Sequence, residues 1–263
     1  MNVWVLAAVR IAAMAVLFQA APAAGLPAPV RAAEIKLGDQ AYAEMVARHE
    51  VLANSPEGML LAPVAKQLKA TADPLYGAPF QFYIDRSIVP NAFVIYGPRL
   101  YVDRGLVRLA DSREELAGVL CHEMSHALHS DGTRDDSLEV AYDNRTKSIM
   151  ARLERATRRH FRGHIESLSS AAELFIWKRH SRSEEERADL AGSDLCARAG
   201  FNPWGLVWMF EKIQKAVPSS GPSFFSDHPS TKARIAALKR HFRQNPATFA
   251  RWSPRESSAT PLR

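Results

Sequence analysis

Residues 112–132, SREELAGVLCHEMSHALHSDG, decide how this chain folds. Ser112 and Glu115 form a capping-box pattern, in which a hydroxyl and a carboxylate exchange hydrogen bonds with the backbone N–H groups that open a helix. Apolar Leu116, Val119, Leu120 and Leu128 follow along that helix, and Gly132 marks its end. Inside it stands His122-Glu123-Met124-Ser125-His126, the pattern H-E-x-x-H. Four residues at about 100° each leave the two imidazoles only about 40° apart around the axis and one turn apart along it. Both can therefore reach one ion. Glu123 lies about 100° round from His122, off the ligand direction and at the position of a general base for hydrolysis. The plainer alternative is a pair of surface histidines on a helix. At this His and Glu content, chance yields the pattern only about 0.02 times in the chain.

Two imidazoles do not complete a catalytic zinc site, which takes three protein ligands and keeps one position open. A third histidine at metzincin spacing is excluded, because His129 and Gly132 occupy the reverse of the positions that class requires. The remaining common solution is a Glu on a later helix, and Glu184-Glu185-Glu186 within Ser181 to Asp189 is the candidate cluster. Composition does not choose among the three. Asp189 favours Glu185, the residue one turn before it, since a carboxylate at that spacing can accept the outer N–H of a ligating imidazole. Glu184 and Glu186 equally suit the acidic first turn of a helix.

Outward from these motifs, helices are expected over 35–52 and 56–72, the second capped by Asn54 or Ser55. Phe80, Phe82 and Ile84 alternate with polar or half-polar neighbours as in a strand, and 92–96 and 99–102 flank Gly97-Pro98 as a hairpin. Further helices are expected over 138–165, 170–179, 183–199, 203–217 and 230–242, with a flexible tail over 244–263. The expected class is α+β, predominantly α-helical, with a small antiparallel sheet packed by the H-E-x-x-H helix. No internal repeat is present, so no solenoid is appended.

The chain has 263 residues, 47% hydrophobic and 24% charged, which excludes a polytopic membrane protein and wholesale disorder. Two cysteines exclude a disulfide-dense scaffold. Cys121 and Cys196 lie on the two ligand-bearing helices, so an oxidising compartment would allow a disulfide between them. The net charge of +6 draws mainly on basic residues over 144–163, either a solvated helix face or a surface for peripheral contact with anionic membrane. No motif or interleaved aromatic platform supports nucleic-acid binding. Residues 1–33 hold no acid, an apolar run and an Ala/Pro-rich stretch, the pattern of a signal peptide cleaved after Ala23 or Ala32. An uncleaved anchor is the alternative, opposed by Arg10 in the middle of the apolar run. The expected domain therefore covers 34–243, exported to the periplasm, with peripheral membrane association through 144–163 as an open question.

The pairing of H-E-x-x-H with Ser181-Arg182 … Glu185 … Ala188-Asp189 resembles the zinc metallopeptidase family of the CAAX prenyl proteases, the heat-shock membrane protease and the periplasmic proteases that act on outer-membrane proteins. Pro90-Asn91-Ala92-Phe93, Asp227-His228-Pro229 and Arg234-Ile235 extend the resemblance over about 34–238. It departs at Arg187, where an acid is common, and at Cys121, where Gly or Ala is commoner. The resemblance implies a gluzincin-type domain with one Zn2+ per chain, held by His122, His126 and Glu185, with Asp189 orienting a ligand. It implies Glu123 as the catalytic base and His228 near the metal, either as a second catalytic group that helps bind the tetrahedral oxyanion or as an occupant of the open coordination position in a resting enzyme. The plainer alternative for His228 is a loop histidine before the Ser230 cap. It makes the strand through Asn91, Ala92, Phe93 and Val94 the substrate-binding edge, where an extended polypeptide docks by β-augmentation. Arg234 is expected as a salt-bridge partner or helix anchor. The resulting expectation is an exported metalloendopeptidase acting on misfolded or unassembled envelope proteins. The alternative is a chaperone-like module that holds extended clients with little proteolysis.

Overall fold

A computed structural model describes residues 28–129, 180–216 and 231–263. Of the signal expected over 1–33, residues 1–27 lie outside the described residues, as do the basic segment 144–163, the helix over 170–179 and His228.

Helix α1 (Ala28–Ala47) opens the described chain, ahead of the domain boundary expected at residue 34, and gives way to the short strand β1 (Val51–Leu52), which replaces the end of the expected first helix. Helix α2 (Pro56–Tyr76) starts where the sequence places it, with the Ser55 hydroxyl accepting from Gly58 N at 3.0 Å and Pro56 in the first turn. It stops at Gly77, whose φ of 81° and N–H bond to Asp73 O at 2.9 Å make a left-handed cap.

Strands β2 (Gln81–Asp85), β3 (Ala92–Val94) and β4 (Arg99–Asp103) join β1 in a four-stranded sheet of order β1-β2-β4-β3. The sheet is mixed rather than antiparallel: β2 and β4 run parallel, with Tyr83 beside Tyr101, while β3 hairpins back on β4 with Phe93 beside Tyr101. The reason is that β4, buried at every residue, takes the centre. Two chain reversals between β2 and β4 restore the original direction. Helix α3 (Arg104–Leu109) follows β4 directly.

Helix α4 (Arg113–His129) realises the capping box: Glu115 N donates to Ser112 Oγ at 3.2 Å, and the Glu115 carboxylate accepts from Asp111 N and Ser112 N at 2.7 and 3.0 Å. Every residue from Glu114 to Ala127 is buried. The helix is enclosed by α2 and the sheet on one side and by α5 (Arg182–Arg198) and α6 (Trp204–Ala216) on the other. Burial of Leu116, Leu120 and Met124 contributes about 1.5–3 kcal/mol each. Gly118 lets α6 approach, since a Cβ there would stand 2.5 Å from Leu206 N. Helix α7 (Thr231–Gln244) packs on α5 and α6.

The segment expected as a flexible tail is folded. It continues into α8 (Pro246–Phe249), and Phe249 and Leu262 are buried. Trp208 Nε1 donates to Pro254 O at 3.0 Å, Thr260 N and Oγ1 donate to Glu114, and Arg263 reaches the carbonyls of Val107 and Arg108. A few apolar anchors and paired backbone groups thus outweigh the polar composition of the segment. Among the described residues, no helix is long and apolar enough to cross a membrane.

Candidate metal centre

Helices α4 and α5 meet at Gly192, where a Cβ would lie 2.9 Å from Cys121 O and 3.0 Å from His122 Cα. Only glycine permits that approach. On either side of it, Cys121 and Cys196 form a disulfide with Cα atoms 5.8 Å apart, so the two helices are covalently joined one residue before His122.

The approach brings together His122 and His126 from α4 and Glu185 from α5, all buried. His122 Nε2 lies 3.1 Å from His126 Nε2 and 3.6 Å from Glu185 Oε2, and His126 Nε2 lies 3.3 Å from Glu185 Oε1. Donor atoms bonded at about 2.0–2.2 Å to one tetrahedral ion stand roughly 3.3–3.5 Å apart. Two imidazole nitrogens and one carboxylate at these separations therefore fit zinc in donor type and in spacing. Glu123 is buried beside them, its Oε1 3.9 Å from His122 Nε2.

The choice within the acidic triplet has a physical basis. Glu184 is half-buried and committed to the helix start, where its carboxylate accepts from Ser181 N at 2.7 Å in a capping box. Glu186 points outward, with Arg240 its ion-pair partner at 3.9 Å. Glu185 alone of the three turns inward, 1% exposed.

Asp189, one turn beyond Glu185 and fully buried, places Oδ1 2.9 Å from His122 Nδ1. That contact directs the His122 Nε2 atom toward the cluster. Burial pushes the His122 imidazole down to about 4, against the opposing pull of Asp189, so the ring is neutral and ready to donate its lone pair. Burial alone would raise the Asp189 carboxyl, but the Arg234 guanidinium and His122 hold it below its ordinary value. Arg234, from α7, bonds Asp189 twice at 2.7 Å and reaches Glu185 Oε2 at 2.8 Å, with its guanidinium 4.5 Å above the Phe210 ring. The sequence expectation of a salt-bridge partner is met, but the partners are the carboxylates of the site itself. His180 is a residue the sequence reading missed: its ring stacks on His126 at 3.9 Å. Its position just before the Ser181 cap was the only available signal.

Asn91, Ala92, Phe93 and Val94 lie on the outer edge of the sheet. Asn91 O accepts from Asp103 N at 2.9 Å, and β3 packs against α4, with Ala92 and Val94 buried on that side.

The model of Peptidase family M48 matches residues 59–241, and the chain belongs to that family of metallopeptidases. It is 24% identical over 211 residues to the mitochondrial metalloendopeptidase OMA1 of Schizosaccharomyces pombe, covering 78% of this chain and 60% of that protein. It is 25% identical over 228 residues to the beta-barrel assembly-enhancing protease of Escherichia coli, covering 80% of this chain and 44% of that protein. The OMA1 of Arabidopsis thaliana is 28% identical over 170 residues, covering 64% of this chain and 33% of that protein. The chain thus spans about a third to three fifths of the length of these relatives.

Proposed function

We propose that the chain is an exported zinc metalloendopeptidase that hydrolyses peptide bonds in misfolded or unassembled cell-envelope proteins. The buried cluster of His122, His126 and Glu185, with Glu123 alongside in a member of family M48, carries this reading. A zinc ion held there would polarise the scissile carbonyl and acidify the attacking water. Glu123 takes the proton of that water and passes it to the leaving amine. Asp189 and Arg234 hold His122 and Glu185 in their directions. The β3 edge receives an extended substrate strand through backbone hydrogen bonds, so sequence tolerance is broad. His228, close to the metal by resemblance, is a second catalytic group in this proposal.

The names of the bacterial relatives and the signal-like composition of residues 1–33 support an envelope substrate and a periplasmic location. Peripheral contact of the basic segment 144–163 with anionic membrane belongs to the same proposal. The holding-module alternative has no observation in its favour, since these relatives are named as peptidases.

The test is incubation of an unfolded client and zinc with the wild-type protein or Glu123→Gln. Wild type should degrade the client at least about 100-fold faster, the scale of a lost general base. Equal client survival in both samples would sink the proposal.

A further inference from the structure

Tyr83 on β2, Tyr101 on β4 and Phe93 on β3 stand at one register across the sheet. Their rings stack in sequence, with centroids 5.5 Å apart between Tyr83 and Tyr101 and 5.3 Å between Tyr101 and Phe93. Tyr42 of α1 closes the inner end, 4.4 Å from Tyr83. Tyr101 is fully buried, whereas Phe93 is half-buried at the outermost strand. Among the described residues no strand lies beyond β3, so the aromatic row ends at an open edge.

Backbone parity fixes what that edge offers. Asp103 N donates to Asn91 O, so the odd-numbered residues of β3 turn their backbone groups toward β4. In an antiparallel ladder these groups alternate, which leaves the N–H and C=O of Ala92 and Val94 facing outward. An incoming strand bonded to Ala92 and Val94 therefore sets one residue opposite Phe93 in a non-hydrogen-bonded pair, the closer of the two pair types. Its side chain lies on the Tyr101 face of the sheet, away from α4. Ala92 and Val94 point to the α4 face instead.

We propose that Phe93 forms an aromatic subsite: an extended polypeptide on β3 is favoured when the residue opposite Phe93 is Phe, Tyr or Trp. This rests on the reading of β3 as the substrate edge. An aromatic side chain there extends the stacked row by one ring, a gain beyond the apolar area it covers. The charges beside the row, Arg99 and Asp39, are paired with each other. Phe93 acts on selection rather than on chemistry, because its side chain lies on the sheet face opposite the metal ligands.

A positional-scanning peptide library, cleaved by the zinc-loaded full chain, tests the proposal. At one position aromatic residues should raise kcat/KM about three- to tenfold over alanine. Phe93→Ala should bring that ratio to about one, and Phe93→Tyr should keep it. The ratio is taken within each variant, so a general loss of folded protein cancels. Cleavage with no aromatic preference at any position, or a preference unchanged in Phe93→Ala, overturns the subsite and leaves the protease reading intact. Absence of cleavage of every peptide by wild type overturns the protease reading, and the subsite falls with it.

Discussion

Asp189 Oδ1 lies 2.9 Å from His122 Nδ1, one helical turn from Glu185 on the same face of α5. One helix thus supplies both Glu185, a proposed zinc ligand, and the carboxylate that contacts His122 on another helix, and Arg234 clamps the two carboxylates from a third. Asp189→Asn keeps the shape of the side chain but removes its charge and leaves Arg234 underpaired. Zinc affinity should fall about 10- to 100-fold, measured by competition with a chromogenic chelator.

Gly192→Ala would place a methyl group against Cys121 O and His122 Cα, both backbone atoms that cannot swing away. The expected cost is about 1–3 kcal/mol of stability, the range for overpacked sites. It should appear as a lower Tm together with faster zinc loss to chelator. A substitution at the exposed Glu186 should leave both unchanged.

The Cys121–Cys196 disulfide closes a separation of 75 residues. Chain entropy assigns such a loop up to about 4.5 kcal/mol. Reductant under denaturing equilibrium should lower the unfolding midpoint of wild type and leave that of the Cys121→Ala, Cys196→Ala double variant unmoved. Equal midpoints of wild type with and without reductant would count against the bond.

Asp103 sits buried beside Asp85 at matched ends of β2 and β4. Burial first, and the Asp85 charge second, push its carboxyl up to about 8. The unfolded chain ionises this group near 3.8 while the folded chain holds the proton. Its contribution is therefore complete below about pH 4 and declines as pH rises through about 8, by up to about 1.4 kcal/mol per pH unit inside that window. Asp103→Asn should flatten the fall of Tm between pH 5 and 8 and raise Tm at pH 8, read by thermal melts across that range.

The half of the candidate site on α4 was legible because it is local: capping, amphipathic spacing and H-E-x-x-H lie within one short stretch. Glu185 needed a second relation, the turn to Asp189, because adjacent glutamates differ only in the direction each takes on a folded helix. Arg234 was legible as an ion-pair former but not as the clamp on Glu185 and Asp189, a contact set by packing of α7 on α5. The stacking of His180 on His126 and the closure of α4 on α5 at Gly192 likewise depend on helix approach, which periodicity does not encode. The parallel β2–β4 pair was missed because strand order depends on which strand is buried on both faces. The tail was misread because polar composition hid Phe249 and Leu262.

Metal analysis of three proteins tests the central claim most directly. Wild type and Glu184→Ala, purified and dialysed against trace zinc, should each hold one zinc per chain, and Glu185→Ala should lose most of it. Equal zinc in Glu184→Ala and Glu185→Ala would contradict a centre built from His122, His126 and Glu185.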